Sequence, residues 1–177
     1  MKIDLSKIEG EPVNFAETIE LGVEGLDPDR VAGPMSVRLE GAVRPTGGDH
    51  FLVGGRATAR GPLVCGRCLE AVEWEMDSTF DLEVALAEAA PLDPEIALDE
   101  SDLDLVYLEE PTLDLMELAM EQVELELPMR VLCSEECAGL CPRCGANRNT
   151  DGACRCEPEV DPRWADLKDL AGGNLAD

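Results

Sequence analysis

Nothing limits the folding of this chain more than its cysteines. Eight occur. Six lie in the run from Cys133 to Cys156, C-S-E-E-C-A-G-L-C-P-R-C-G-A-N-R-N-T-D-G-A-C-R-C, and two in C-G-R-C at Cys65 and Cys68. Sulfurs paired at two-residue gaps, with His50 the single histidine in the chain, form the donor pattern of tetrahedral metal sites. Four thiolates close one such site, so eight specify two. Beyond Arg130 the chain is otherwise glycine and turn residues. A segment so poor in apolar side chains does not hold a fold without metal or a cross-link.

The choice between metal and disulfide turns on compartment. The opening residues, Met1 to Lys7, have no apolar core of a secretory signal, and no stretch approaches the ~20 apolar residues of a membrane span. The expectation is therefore a cytoplasmic chain with no membrane partner, in a reducing milieu where clustered cysteines take up zinc in preference to oxidising. Cys141-Pro142-Arg143-Cys144-Gly145 reads as a zinc knuckle, its glycine permitting a positive φ so that backbone amides turn toward the thiolates. Cys154 and Cys156, at i,i+2, place both sulfurs on one face of an extended segment. Cys141, Cys144, Cys154 and Cys156 thus make one local site around a loop carrying Asn147, Asn149 and Gly152. Cys133 and Cys137, four apart, can face one ion together with Cys65 and Cys68, tying the region after the main helix back to the strands. Short loops close at lower entropic cost, which favours this grouping, although Cys65 and Cys68 could instead share an ion with the knuckle. All-cysteine shells are closed, so both sites read as structural and the expected cofactor is two zinc ions. A redox C-x-x-C would sit between a strand and a helix in a βαβ unit; here strand-like sequence lies on both sides.

At 177 residues the chain fits a single unit. With three Phe, two Trp and one Tyr, its core must be aliphatic. An apolar segment runs from Pro12 to Leu21. Val37, Leu39, Gly41 and Val43 alternate with polar neighbours, then Phe51, Val53, Gly55, Ala57 and Ala59 continue the pattern after a turn at Pro45 to Asp49. Trp74, Met76, Phe80, Leu82, Val84 and Leu86 share one parity against Glu73, Glu75, Asp77, Asp81 and Glu83. Period-two alternation across short turns predicts an antiparallel sheet with one wet face. A Pro- and acid-rich loop is expected over 88–101, and a short strand at Leu103, Leu105 and Tyr107. Asp114 and Glu117 open a helix with Leu115, Leu118, Ala119, Gln122, Val123 and Leu127 on one side, ended by Pro128. The fold class is α+β, a sheet packed by one main helix over 1–130. A cysteine-rich, zinc-ribbon-like segment follows over 131–177, with a short terminal helix from Asp161 to Leu170 bearing Trp164, Leu167 and Leu170.

The formal charge is −25, and thiolate-bound metal would deepen it. Between Cys68 and Met129 stand 20 Asp and Glu and no Lys, Arg or His. Such a field repels phosphate backbones and attracts basic partners. Arg60, Arg67, Arg130, Arg143, Arg148, Arg155 and Arg163 gather around the cysteines, either compensating thiolate charge or offering a small positive surface to RNA. Enzymatic motifs are missing: His50 has no partner at motif spacing, and there is no Gly-rich phosphate loop. No catalytic residue, bound small-molecule cofactor or small-molecule substrate is expected.

Several pieces in order resemble the YceD family, the large ribosomal RNA subunit accumulation proteins. They are C-G-R-C-L at Cys65 to Leu69; L-D-L at Leu113 to Leu115, opening a helix that ends in L-P-M at Leu127 to Met129; C-x3-C-x-G-L-C-P-R-C-G-A-N-x-N from Cys133 to Asn149; C-x-C at Cys154 to Cys156; and D-P-R-x-x-x-L from Asp161 to Leu167. The resemblance implies a role in ribosome biogenesis, in processing or accumulation of large-subunit (23S) rRNA, with no known catalytic activity, and the chain is expected not to be an enzyme. The acidity points to a basic ribosomal protein as partner and the resemblance to large-subunit rRNA, and the expected partner is either or both. The alternatives are a zinc-ribbon module acting directly on rRNA, and a thiol-disulfide oxidoreductase.

Overall fold

The computed structural model describes residues 1–86, 105–152, 154–156 and 163. Among them are seven strands and one α-helix: β1 Lys2–Asp4, β2 Val13–Leu21, β3 Met35–Gly47, β4 His50–Val64, β5 Ala71–Leu86, β6 Leu105–Leu108, β7 Thr112–Asp114 and α1 Leu115–Glu126. The main sheet has the order β2-β3-β4-β5-β6, and its first four strands are antiparallel.

Register converts the sequence alternation into one apolar face. Ile19, Val37, Ala59 and Met76 stand in one cross-strand row, and Val43, Val53 and Leu82 in another. Between them runs Phe15, Gly41, Gly55 and Phe80, two glycines roofed by two rings. Against this face α1 buries Leu115, Leu118, Ala119 and Val123, making one core with the sheet. The Asp114 carboxylate accepts the Met116 amide at 2.9 Å, satisfying one of the free donors at the helix start. At the other end Arg30 donates to the Leu127 and Pro128 carbonyls at 3.2 and 2.7 Å. The helix therefore ends where Pro128 was expected to end it, and Arg30 covers the two carbonyls just beyond it.

Three features differ from the expectation or go beyond it. β3 runs to Gly47, so the hairpin is tighter than the five-residue turn read from sequence, with Gly47 and Gly48 both at positive φ. β6 joins β5 in parallel, because residues 87–104 are long enough for a crossover and a hairpin is not required. β1 and β7 form a separate two-stranded ladder that fastens the amino terminus to the start of α1, with the Leu115 amide bonded to the Met1 carbonyl at 2.9 Å. The expected loop over 88–101, Leu103 and all of the expected terminal helix except Arg163 lie outside the described residues. Among the described residues, no helix is long and apolar enough to cross a membrane.

Candidate metal centres

β4 and β5, at 15 and 16 residues, form the longest hairpin of the sheet. Its tip, residues 65–70, carries Cys65 and Cys68. The chain returns to this tip after α1. Gly66 N–H bonds to the Val131 carbonyl and Leu140 N–H to the Arg67 carbonyl, each at 2.9 Å, while the Arg67 guanidinium donates to the Cys137 carbonyl at 2.7 Å. The cysteine-rich segment is thereby laid across the end of the sheet.

The eight sulfurs fall into two groups, Cys65, Cys68, Cys133 and Cys137, and Cys141, Cys144, Cys154 and Cys156. Within each, all four sulfurs lie within 4.8 Å of one another. These are the two sets favoured by spacing; the swapped grouping is not the one formed. In the first group Cys65 and Cys137 Sγ are 3.8 Å apart, and Cys68 and Cys133 Sγ 3.6 Å. A disulfide would need about 2.0 Å. A tetrahedron with metal–sulfur bonds of about 2.3 Å has edges of about 3.8 Å. The residues present therefore fit a tetrahedral ion, and both groups could hold one. Four soft sulfur donors suit zinc or iron rather than magnesium or calcium.

Burial opposes charge on Cys65, yet the amides of Cys68, Arg67 and Cys133 pointed at its sulfur bring its pKa down to about 6. The amides of Cys144 and Arg143, helped by Cys154, pull Cys141 down to about 5. Their neighbours move the other way. The Glu70 amide favours the Cys68 thiolate, but burial and the surrounding sulfurs outweigh it and push Cys68 up to about 12. Cys144, burial and Cys141 likewise push Cys156 up to about 12. In the first group Cys137 is also drawn down, against burial, by Asn149, while Cys137 pushes Cys133 up; a divalent cation removes such conflict by deprotonating all four sulfurs of a group.

C-G-R-C-L and C-P-R-C-G are built alike, although only the second announces itself by a glycine. Each directs the amides of its third and fourth residues at the first sulfur. Each closes with a 2.9 Å bond from the fifth residue's amide to the first residue's carbonyl. That fifth residue has φ +73° at Gly145 and +61° at Leu69, the one non-glycine at positive φ among the described residues. A β-carbon in that region costs about 1–2 kcal/mol. Leu69→Gly is expected to stabilise the metal-loaded protein by about 0.5–1 kcal/mol after the entropy of the unfolded glycine is counted, read as a higher denaturation midpoint. A lower midpoint would show that the Leu69 side chain makes contacts worth more than the strain.

Of the residues that support the sulfurs, the sequence pointed to Arg148 but not to Asn149 or Gly139. Asn149 Nδ2 donates to Cys137 Sγ at 3.3 Å, and the Cys133 amide to Cys65 Sγ at 3.4 Å. Gly139, at φ +70°, lies so close to the Arg67 carbonyl that a β-carbon would sit 2.9 Å from it. The Arg148 guanidinium stands beside Cys141 and Cys154, whose sulfurs, Cys141 foremost, raise its pKa. For this arginine, compensation of sulfur charge is the arrangement seen. His50 stands away from both groups, beside Glu83 at 3.4 Å on the sheet.

These observations define a class: a helix-backed β-sheet protein whose longest hairpin and carboxy-terminal segment together carry two all-cysteine groups able to hold metal ions. The profile described as Large ribosomal RNA subunit accumulation protein YceD matches residues 53–171, and the chain belongs to the YceD family. It is 34% identical over 126 residues to an uncharacterised protein of Mycobacterium tuberculosis, an alignment covering 70% of this chain and 57% of that one. It is 30% identical over 122 residues to one of Mycobacterium leprae, covering 69% and 54%. The chain thus spans just over half the length of these mycobacterial relatives. A large ribosomal RNA subunit accumulation protein YCED homolog 1, chloroplastic, from Zea mays is 37% identical over 46 residues, 26% of this chain and 16% of its own. No solved structure matches.

Proposed function

We propose that this chain is a non-catalytic, cytoplasmic ribosome-biogenesis factor that supports processing and accumulation of large-subunit 23S rRNA. In this reading its two cysteine groups hold structural zinc and its acid surface holds a basic ribosomal protein. Membership of the YceD family carries the link to large-subunit rRNA. The distribution of charge supports the choice of partner. On the wet face of the sheet, Asp77 is taken by Arg56 in a two-pronged pair at 2.5 Å, and Glu75 by Arg60. The solvent side of α1 is different. Glu117, Glu121, Glu124 and Glu126 are all exposed there, on a helix without one basic residue. Among the described residues the acid is thus divided, partly paired with arginine on the sheet and without a paired cation on the helix, and the helix is the surface that would draw a cationic partner.

Zinc in this reading supplies cross-links and no chemistry. Four sulfurs per ion leave no position for water or substrate. Arg148, engaged with Cys141 and Cys154, favours a protein partner over bare RNA, since that arginine already serves the sulfur group.

The test is a pull-down with the zinc-loaded chain at moderate salt, with and without nuclease. A basic ribosomal protein should be recovered in both, with rRNA only in the absence of nuclease. Changing Glu117, Glu121, Glu124 and Glu126 together to Gln should weaken recovery about tenfold or more, since interface charges set encounter and specificity. Naked rRNA recovered without any basic protein would overturn the partner assignment.

A further inference from the structure

The loop 145–152 is closed by the second sulfur group, yet its side chains reach the first. Asn149 is the contact. While its Nδ2 donates to Cys137 Sγ at 3.3 Å, its Oδ1 accepts the Ala138 amide at 2.8 Å. Asn149 is held in turn by Asn147, whose Oδ1 accepts the Asn149 amide at 3.0 Å and Asn149 Nδ2 at 2.9 Å. Asn147, the buried polar residue among those described, donates through Nδ2 to Glu70 Oε1 at 3.3 Å, two residues beyond Cys68. The backbone adds two more ties, Cys141 N–H to the Ala146 carbonyl at 2.8 Å and Arg148 N–H to the Gly139 carbonyl at 2.9 Å, which together make the isolated bridge between Leu140 and Asn147.

We propose that this loop makes the two centres one cooperative unit, with Asn149 a positioning residue for the Cys137 thiolate and metal at the second centre tightening the first. The inference rests on the reading that both groups hold metal. A ligand thiolate needs hydrogen-bond donors that fix its direction and spread its charge, and loss of such a donor typically costs 10–100-fold in metal affinity. Asn149 can donate only when the loop has this conformation. With Cys144 and Cys154 unlinked, the nine residues between them are free to sample many others, and the first centre must bear the entropy of ordering them. Once an ion joins Cys144 to Cys154, that ordering is already done. Linkage is reciprocal, so the first centre tightens the second by the same factor.

The experiment uses the full zinc-loaded chain. Metal content is measured first. Alkylation of each cysteine is then followed over time by mass spectrometry in the presence of a chelator, with amide exchange of β3 and β4 as a check on the sheet. Opening the second centre with C154S/C156S should speed alkylation of Cys65, Cys68, Cys133 and Cys137 by about 10–100-fold. Asn149→Ala should do the same with the second centre's cysteines intact. Asn149→Asp, which keeps the acceptor for Ala138 but loses the donor, should behave like Asn149→Ala. Wild-type rates in the first group for these variants, with two ions in the parent protein, overturn the coupling and leave the metal reading standing. A parent protein without bound metal overturns both. Faster alkylation accompanied by lost protection in β3 and β4 also overturns the coupling, because general unfolding then exposes the thiols.

Discussion

With zinc in the two sulfur groups as proposed, its removal is expected to release the segment from Val131 to Cys156 while the sheet survives. The effect should be large. Apparent binding energies of structural zinc are about 10–16 kcal/mol per ion at neutral pH, comparable with the whole stability of an ordinary domain, about 5–15 kcal/mol. Little else holds the segment. The apolar side chains packed around the first sulfur group are Val72, Leu132 and Leu140, all only partly buried. The sheet and α1, by contrast, share a continuous core from Ile3 to Leu127 that contains no cysteine. Hydrogen exchange provides the measurement. The amides of Leu140 and Arg148, bonded to the Arg67 and Gly139 carbonyls, should lose protection by about a thousandfold or more on chelation and regain it when zinc returns. Amides of β3 and β4 should not change. Full protection of Leu140 and Arg148 in metal-free protein would remove the structural role assigned to the ions.

Gly41→Ala is the second change expected to do severe damage, and it acts far from any sulfur. A β-carbon at Gly41 would collide with the Gly54 carbonyl oxygen and lie 2.8 Å from Gly55 Cα and 2.9 Å from the Phe15 ring. Two of these neighbours are backbone on the adjacent strand, so no rotamer change relieves the clash. Overpacking of this kind costs about 2–4 kcal/mol, a fall in melting temperature of roughly 5–15 °C for a chain of this size. Gly22→Ala is the matched control. Nothing lies within 4 Å of its added carbon and its φ is ordinary, so it should stay within about 0.5 kcal/mol of wild type. Equal melting temperatures for Gly41→Ala and wild type would show that β3 and β4 are not so closely opposed there.

Gly41 and Gly55 were visible in the sequence as apolar-face positions of alternating strands, but their pairing was not. They are opposite each other only because the hairpin turns at Gly48 and Asp49, and a shift of one residue would put them on opposite faces of the sheet. The long strands were legible because period two is sustained over many residues, and α1 because its cap, its apolar stripe and Pro128 agree. Short elements carry no such signal. β1 and β7 have three residues each, and pairing residues more than a hundred positions apart is a tertiary choice that local pattern does not encode. The same division holds at the sulfur groups. Cysteine spacing pointed to the ligand sets. The residues that support them, Asn149 against Cys137 and Arg67 against the Cys137 carbonyl, depend on how the returning chain lies over the hairpin tip. Leu69 escaped notice for a different reason: leucine is the residue type least expected at a position that favours glycine.

The hairpin tip also sets an order of events. β4, β5 and C-G-R-C leave the ribosome well before Cys133 and Cys137, which lie 65 residues beyond Cys68 in the case of Cys133. At about 5–20 residues per second, that gap lasts roughly 3–13 s. During that gap β5 and α1 are made, and the nascent chain displays Cys65 and Cys68 without their two partners. Copper, cadmium or an oxidant meeting the protein has its best opportunity in those seconds, so metal stress should strike newly made copies and spare the finished ones.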